Sequence, residues 1–225
     1  MEILSNFAVF EGLDGSGTTT QLNILNAFYH PKEVASGQLF VAENKSAYLR
    51  HPPIYITYEP TNGIIGKIIR AGLKKEVFLC EETLARLFAA DRNEHIYEKE
   101  GILERCKRGE LVISDRYLLS SLVYQGITCG EELPFMLNKD FPLPELLIFF
   151  DIDAKTAQNR INSRGETEKY ENLEFQTKVL ERYKSFLPQF AQKGVRVEVV
   201  DSSKPIEEVS VEVRNILEKM PIFKG

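Results

Sequence analysis

The sequence predicts an α/β domain in which helices cover both faces of a parallel sheet. The order of elements along the chain carries this prediction. Short apolar or β-branched runs alternate with helical segments along the whole chain, and such alternation requires crossover connections between parallel strands. The 225 residues are 43% hydrophobic, with no internal repeat or linker, so a single domain of residues 1–225 is the simplest organisation.

The N-terminal half contains three predicted strands, each a short apolar or β-branched run. The first strand, 5–10, leads into a glycine-rich turn at 12–17. Leu22, Leu25 and Phe28 then recur with helical spacing and predict a helix at 18–29. The other expected elements of this half are an irregular stretch at 30–53, a strand at 54–57, a short helix at 64–73, a long helix at 81–107 ended by Gly109, and a strand at 111–114.

The C-terminal half continues the alternation with longer helices. The apolar runs 146–150 and 195–200 predict the fourth and fifth strands. Between the strands we expect a helix at 118–125, a loop-like stretch at 131–145 with room for a short helix, and helices at 154–163 and 172–191. The last helix follows Pro205 and has its apolar residues on one face: Ile206, Val209, Val213, Ile216 and Met220.

Composition and charge exclude several classes of protein. The net charge is −5 and no long basic run is present, which argues against nucleic-acid binding but allows single nucleotides. Cys80, Cys106 and Cys129 lack metal-site spacing and are expected to be reduced thiols. The N-terminus does not resemble a secretory signal, and the apolar run 146–150 is far shorter than the ~20 residues that span a membrane. We therefore expect a soluble cytoplasmic protein without a membrane partner.

The glycine-rich turn is the first candidate site. Residues 12–19, GLDGSGTT, match the phosphate-binding pattern G-x-x-x-x-G-K-[ST] except that Thr18 replaces the lysine. Glycines let successive N–H groups point at phosphate oxygens, and the helix that follows adds its positive end. In such a site Thr19 binds Mg²⁺. The alternative is an ordinary turn between a strand and a helix.

Acidic and basic residues near the strand ends extend this site. A carboxylate at Asp14 repels phosphate, so we expect it to face a sugar hydroxyl or, alternatively, to cap the helix. Asp115 ends a predicted strand, where open α/β sheets bind ligands. Either it holds Mg²⁺, with Arg116 gripping a phosphate beside it, or it caps the next helix.

Two further groups have both a functional and an ordinary interpretation. Phe88 and Arg92 share a helical face, where they either bind a base or form a core phenylalanine and a surface ion pair. Arg160, Arg164 and Lys169 are interspersed with glutamates. They form either a flap that closes over phosphates or a solvated charged segment.

Together these motifs resemble the thymidylate kinase family of nucleoside monophosphate kinases. The matching segments are FEGLDGSGTTTQ, YEPTNGIIGKIIR, RLFAADRNEH, LVISDRYLLSSLVYQG and RGETEKYE, in the family's order over about residues 7–201. The resemblance implies a three-layer P-loop kinase fold with a five-stranded parallel sheet and a short lid at about 160–172. It also implies a homodimer that transfers a phosphoryl group from MgATP to dTMP, in the synthesis of dTTP.

The resemblance also implies residue roles. Phe88 should stack on thymine, while Arg92, Ser120 and Gln125 face its polar edge. Asp14 should bond the 3′-hydroxyl, and Tyr124 should crowd the 2′ position. Arg70 and Arg116 should hold the acceptor phosphate. The implied ATP-binding set is Gly12, Leu13, Asp14, Gly15, Ser16, Gly17, Thr18, Thr19, Thr20 and Arg160. The implied metal set is Thr19 and Asp115, partly through water, and the implied catalytic set is Asp14, Glu59, Arg116, Arg164 and Lys169.

This sequence departs from the family pattern at several positions. Thr18 replaces the lysine of the phosphate-binding turn, Tyr58 replaces an arginine, and the segment 30–53 is longer than usual. That segment is either a dimer-contact or regulatory element or a tolerated surface insertion. Because residues 13–16 include no cation, we expect Arg164, with Arg160 or Lys169, to supply the missing charge.

The sequence leaves two alternative functions open. One is a nucleotide-binding protein that performs no chemistry. The other is a kinase of a different deoxynucleoside monophosphate. The intact metal and acceptor residues favour an active enzyme, because phosphoryl transfer depends mainly on positioning and charge neutralisation.

Overall fold

The computed structural model describes residues 2–30, 51–163, 169–170 and 172–224. Arg164 of the expected lid and most of the segment 30–53 lie outside these ranges. The described residues form five strands: β1 (Ile3–Gly12), β2 (Ile54–Tyr58), β3 (Leu111–Asp115), β4 (Leu143–Asp151) and β5 (Arg196–Asp201). They also form helices α1 (Thr18–Tyr29), α2 (Ile64–Leu73), α3 (Glu81–Tyr97), α4 (Ile102–Lys107), α5 (Leu118–Thr128), α6 (Glu132–Asn138), α7 (Ala154–Asn162), α8 (Leu173–Gln192) and α9 (Ile206–Leu217), with a 3-10 turn at Pro221–Phe223.

The five strands form one parallel sheet in the order β2-β3-β1-β4-β5. The predicted α/β class and its five-stranded parallel sheet are therefore confirmed. β1 is the central strand, and Phe10 of β1 pairs with Asp115 of β3. This register brings the glycine-rich turn beside the carboxyl end of β3, where ligands bind in sheets of this kind.

Apolar residues of β1 face both sides of the sheet, so both sides are covered. Phe7 and Val9 belong to one core cluster, which includes residues of α3, α5 and α8. Ala8 and Phe10 belong to a second cluster, which includes residues of α1 and α9. Alternation along the strand therefore accounts for the three-layer arrangement.

The structure corrects the prediction of one long helix at 81–107. α3 ends at Tyr97, and α4 begins at Ile102. Glu100 between them has a φ of 67°. At Gly101 an added Cβ would lie 2.8 Å from the Glu98 carbonyl oxygen, a distance that only glycine tolerates. The turn therefore depends on one glycine in tight packing, which helical periodicity does not reveal.

The stretch 131–145 contains α6, the short helix for which the sequence left room, but β4 begins at Leu143 instead of residue 146. β4 begins early because the start of β1 pairs with it through Ile3 and Leu143, before a register shift between Leu4 and Ala8.

Candidate functional site

Two adjoining pockets lie at the carboxyl ends of β1, β2 and β3. The small pocket has a volume of about 170 Å³ and the large pocket about 710 Å³. Among the described residues, four line both pockets and are called the shared wall: Asp14, Glu59, Pro60 and Arg116. Groups bound in the two pockets therefore meet at these four side chains.

The glycine-rich turn forms one side of the large pocket. Gly15 and Gly17 have φ values of 81° and 99°, a region that favours glycine. No described heavy atom lies within 4 Å of a Cβ built on Gly17, so the turn is open there. Gly12 and Ser16 are instead buried and do not line this pocket, and a Cβ on Gly12 would be 2.6 Å from Ser16 Oγ. The turn residues lining the pocket are Leu13, Asp14, Gly15, Gly17, Thr18, Thr19 and Thr20.

The expected cations differ in their relation to this turn. Arg160 of α7 donates from Nη2 to the Ser202 carbonyl oxygen at 3.0 Å, and its Nη1 lies 3.5 Å from the Gly15 carbonyl oxygen. Lys169 instead pairs with Glu81, with an Nζ–Oε1 distance of 2.6 Å. Arg160 thus contacts the turn, whereas Lys169 is held by the first turn of α3.

Thr19 and Asp115 form a close pair in the large pocket. Thr19 Oγ1 donates a hydrogen bond of 2.7 Å to Asp115 Oδ2. The other oxygen, Oδ1, is buried without a hydrogen-bond partner among the described residues. A carboxylate and a hydroxyl are suitable ligands for Mg²⁺, which typically keeps several waters, so an unpartnered carboxylate oxygen fits a cation or its bound water.

Asp14 points towards the small pocket and away from the turn's amides. Its Oδ1 accepts from Arg116 Nη2 at 2.8 Å, and its Oδ2 accepts from Tyr124 Oη at 3.2 Å and Gln176 Nε2 at 3.1 Å. Within the described residues its partners are these side chains and not N–H groups of α1. The orientation therefore does not support the alternative in which Asp14 caps the helix.

Arg92 is a buried residue at the end of the small pocket. Its Nε donates to Glu59 Oε2 at 2.9 Å, and its Nη2 donates to Ser121 Oγ at 3.1 Å. Nη1 also donates to Asn138 Oδ1. Arg92 is only 1% exposed, which rules out the surface ion pair. Phe88 is half-buried and lines the same pocket.

Other residues of the expected acceptor set differ in where their polar groups point. Gln125 lines the small pocket. Ser120 and Ser121 both line the small pocket. The Ser120 hydroxyl donates to Glu11 Oε2 at 2.6 Å, whereas Ser121 Oγ accepts from Arg92 Nη2. Arg70 lines the large pocket and donates to the carbonyl oxygens of Pro60 and Thr61.

A buried polar group that no sequence motif indicated lies next to Arg116. Glu11 is 0% exposed. Burial raises its pKa to about 7, and the opposing effects of Arg116 and of hydrogen bonds from Ser120 and Tyr183 are smaller. A glutamate at the end of the apolar run FAVFE was a signal that such a group exists. Tyr183 and Gln176 lie seven residues apart on α8 and carried no local signal.

His95 is a second buried residue that no sequence motif indicated. Its Nδ1 lies 3.1 Å from Glu59 Oε1, and its Nε2 lies 2.7 Å from Thr57 Oγ1. Together with Arg92, it fixes the carboxylate of Glu59 on the shared wall.

None of the helices in the described part of the chain has the length and apolar character needed to cross a membrane.

Comparison with known proteins gives consistent matches. The family model described as thymidylate kinase matches residues 10–213. A relative from Pyrobaculum aerophilum named "Probable thymidylate kinase" is 36% identical over 219 residues, covering 97% of this chain and 99% of its own. A relative of the same name from Methanococcus maripaludis is 37% identical over 228 residues, covering 97% and 98%. A relative from Treponema pallidum, also with a thymidylate kinase name, is 37% identical over 212 residues, covering 93% of both chains.

Proposed function

Because this chain belongs to the thymidylate kinase family, we propose that it transfers the γ-phosphoryl group of ATP to dTMP, producing dTDP and ADP. The shared wall is the observation that carries this proposal. Asp14 and Arg116 border both a pocket suited to a nucleoside and a pocket formed by a phosphate-binding turn. An acceptor phosphate in one pocket can therefore approach a donor phosphate in the other.

We assign the donor to the large pocket. The turn's N–H groups and the start of α1 are suited to the β-phosphate. Thr18 offers no positive charge, so other cations must neutralise the γ-phosphate. Arg160 already contacts the turn, and we assign Arg164 to the same task. Lys169 would first have to break its ion pair with Glu81. The contacts therefore support Arg160 more than Lys169 as the second cation.

We assign dTMP to the small pocket. Thymine would lie on Phe88, with Arg92 and Gln125 at its polar edge. Asp14 would accept a hydrogen bond from the 3′-hydroxyl, and Tyr124, which donates to Asp14, would leave little room for a 2′-hydroxyl.

Arg70 and Arg116 are assigned to the acceptor phosphate. Each guanidinium group can donate two hydrogen bonds to two oxygens of one phosphate. The attacking oxygen belongs to a phosphate whose second pKa is about 6, so no side chain has to remove a proton at neutral pH. The residues of the shared wall then act by positioning the two phosphates and offsetting their repulsion.

Thr19 and Asp115 are assigned to Mg²⁺, because Asp115 has a buried oxygen without a described partner. When bound, the ion would neutralise charge on the donor phosphates. We also propose a cytoplasmic homodimer. The exposed apolar residues on and after α2 support a second copy, notably Ile64 at 80% exposure and Phe78 at 93%.

An ADP-release assay with MgATP and each of dTMP, dUMP and dGMP tests the function. We expect turnover with dTMP, loss of turnover in Arg116→Ala, and wild-type turnover in Arg108→Ala, which changes an exposed arginine outside both pockets. Binding of nucleotides without ADP release would indicate a protein that performs no chemistry. Faster turnover of dUMP or dGMP would show that another deoxynucleoside monophosphate, and not dTMP, is the preferred substrate.

A further inference from the structure

Arg116 has an unusual backbone conformation. Its φ is 72°, in the left-handed region that costs a residue other than glycine about 1 kcal/mol or more. Surrounding contacts must therefore hold it. Its N–H donates to the Phe10 carbonyl oxygen at 2.9 Å, and its Nη1 donates to the Gly12 carbonyl oxygen. The end of β1 thus fixes both the backbone and the side chain.

Glu11 lies between these two contacts and binds the start of α5. Its Oε1 accepts from the N–H groups of Tyr117 at 3.1 Å and Ser120 at 3.3 Å. Its Oε2 accepts from the hydroxyls of Ser120 at 2.6 Å and Tyr183 at 2.8 Å. The buried carboxyl group of Glu11 therefore holds the backbone immediately after Arg116, and it also accepts a hydrogen bond from a hydroxyl group of α8.

Tyr183 connects this carboxyl group to the guanidinium of Arg116. Its hydroxyl donates to Glu11 and accepts from Arg116 Nη1 at 2.9 Å. A hydroxyl that donates to a carboxyl group is a better acceptor, because hydrogen bonds in a chain polarise one another. The other terminal nitrogen, Nη2, donates to Asp14. The guanidinium is consequently held at both ends.

The ring of Tyr183 has little freedom to move. The residue is 0% exposed, and its ring centroid lies 5.2 Å from that of Phe149 and 6.3 Å from that of Tyr124. A fixed hydroxyl can define the plane of a guanidinium, and that plane decides whether two N–H groups reach one phosphate.

We propose that Tyr183 and Glu11 are positioning residues that aim the guanidinium of Arg116 at the acceptor phosphate. This inference rests on the proposed function, in which Arg116 binds that phosphate. It predicts an effect confined to the phosphate of dTMP, since the nucleoside would be bound by Phe88 and Arg92. A purely structural role for Tyr183 would instead affect folding, or the nucleoside and its phosphate equally.

Calorimetric titration of Tyr183→Phe with dTMP and with thymidine separates these roles. The variant keeps the packed ring and loses only the hydroxyl. We expect about tenfold weaker binding of dTMP and unchanged binding of thymidine, as for loss of one hydrogen bond to a charged group. Tyr55→Phe is the matched control, since Tyr55 lies outside both pockets and packs on Arg105; it should bind both ligands like the wild type.

Two further measurements complete the test. In an Arg116→Ala background, Tyr183→Phe should weaken dTMP binding no further, because its effect acts through Arg116. Glu11→Gln provides a second variant if Tyr183→Phe does not fold, and it should also weaken dTMP more than thymidine. Equal loss of both ligands, or unchanged dTMP affinity, would overturn the inference. A wild-type protein that binds no dTMP would instead contradict the proposed function.

Discussion

Thr19 donates a 2.7 Å hydrogen bond to Asp115 and so joins the first turn of α1 to the end of β3. The two residues are 96 positions apart in the chain. They meet because β1 and β3 are neighbours and Phe10 pairs with Asp115. The other carboxylate oxygen of Asp115, Oδ1, is buried and has no hydrogen-bond partner among the described residues.

Asp115→Asn should reduce turnover by about 10²–10³-fold, because the change removes the negative charge assigned to Mg²⁺ while keeping the side chain's shape. Turnover measured against Mg²⁺ concentration should show a higher requirement for the ion. Asp140→Asn changes an exposed aspartate and is the control. Equal turnover and equal Mg²⁺ dependence in Asp115→Asn and the wild type would contradict the assignment.

Thr18→Lys should lower the KM for ATP by about tenfold or more, since it returns an ammonium group to the phosphate-binding turn. Initial rates at varied ATP and saturating dTMP measure the effect. The exposed Thr177 on α8 provides a control in Thr177→Lys. If the KM for ATP is unchanged or rises in Thr18→Lys, the missing lysine does not limit ATP binding in this protein.

Arg160→Ala and Arg164→Ala should each lower turnover, and the loss should be smaller in the Thr18→Lys background. The reason is that these cations are assigned to replace the same ammonium charge, so restoring it reduces their importance. Turnover of the single and double variants gives the comparison. Intact turnover in Arg164→Ala with Thr18 unchanged would show that Arg164 does not compensate.

Glu11→Gln should change how stability depends on pH. In the folded protein burial raises the Glu11 pKa to about 7 from an ordinary 4.5, so between these values the unfolded chain holds fewer protons. Rising pH therefore destabilises the wild type across this window, by at most about 3 kcal/mol. Denaturant unfolding of both proteins at pH 5 and pH 8 should show that the free energy of unfolding falls less between these two pH values in the variant than in the wild type. Parallel losses would mean that Glu11 does not titrate in this range.

The sequence predicted the fold well because alternation of strands and helices is a local property. Each strand of the sheet overlaps its predicted range, and β1 covers the apolar run before the turn, although β4 begins at Leu143 and not at residue 146. The division at Gly101 escaped prediction, since it depends on contacts of one glycine with the carbonyl groups of α3 and Glu98.

Prediction of the candidate site was less complete. Motif spacing identified Asp14, Phe88 and Arg92, which the structure brings together around the small pocket. It did not identify Gln176 or Tyr183. Their partners Asp14 and Glu11 lie 162 and 172 positions away, and only the docking of α8 against the end of β1 brings them together.

The four residues of the shared wall have a consequence for ligand design. A compound whose two ends fill the two pockets would bind its second end at a high effective concentration. Its linker would have to carry negative charge past Arg116 and avoid Asp14 and Glu59. Rigid anionic tethers should therefore outperform neutral ones of equal length.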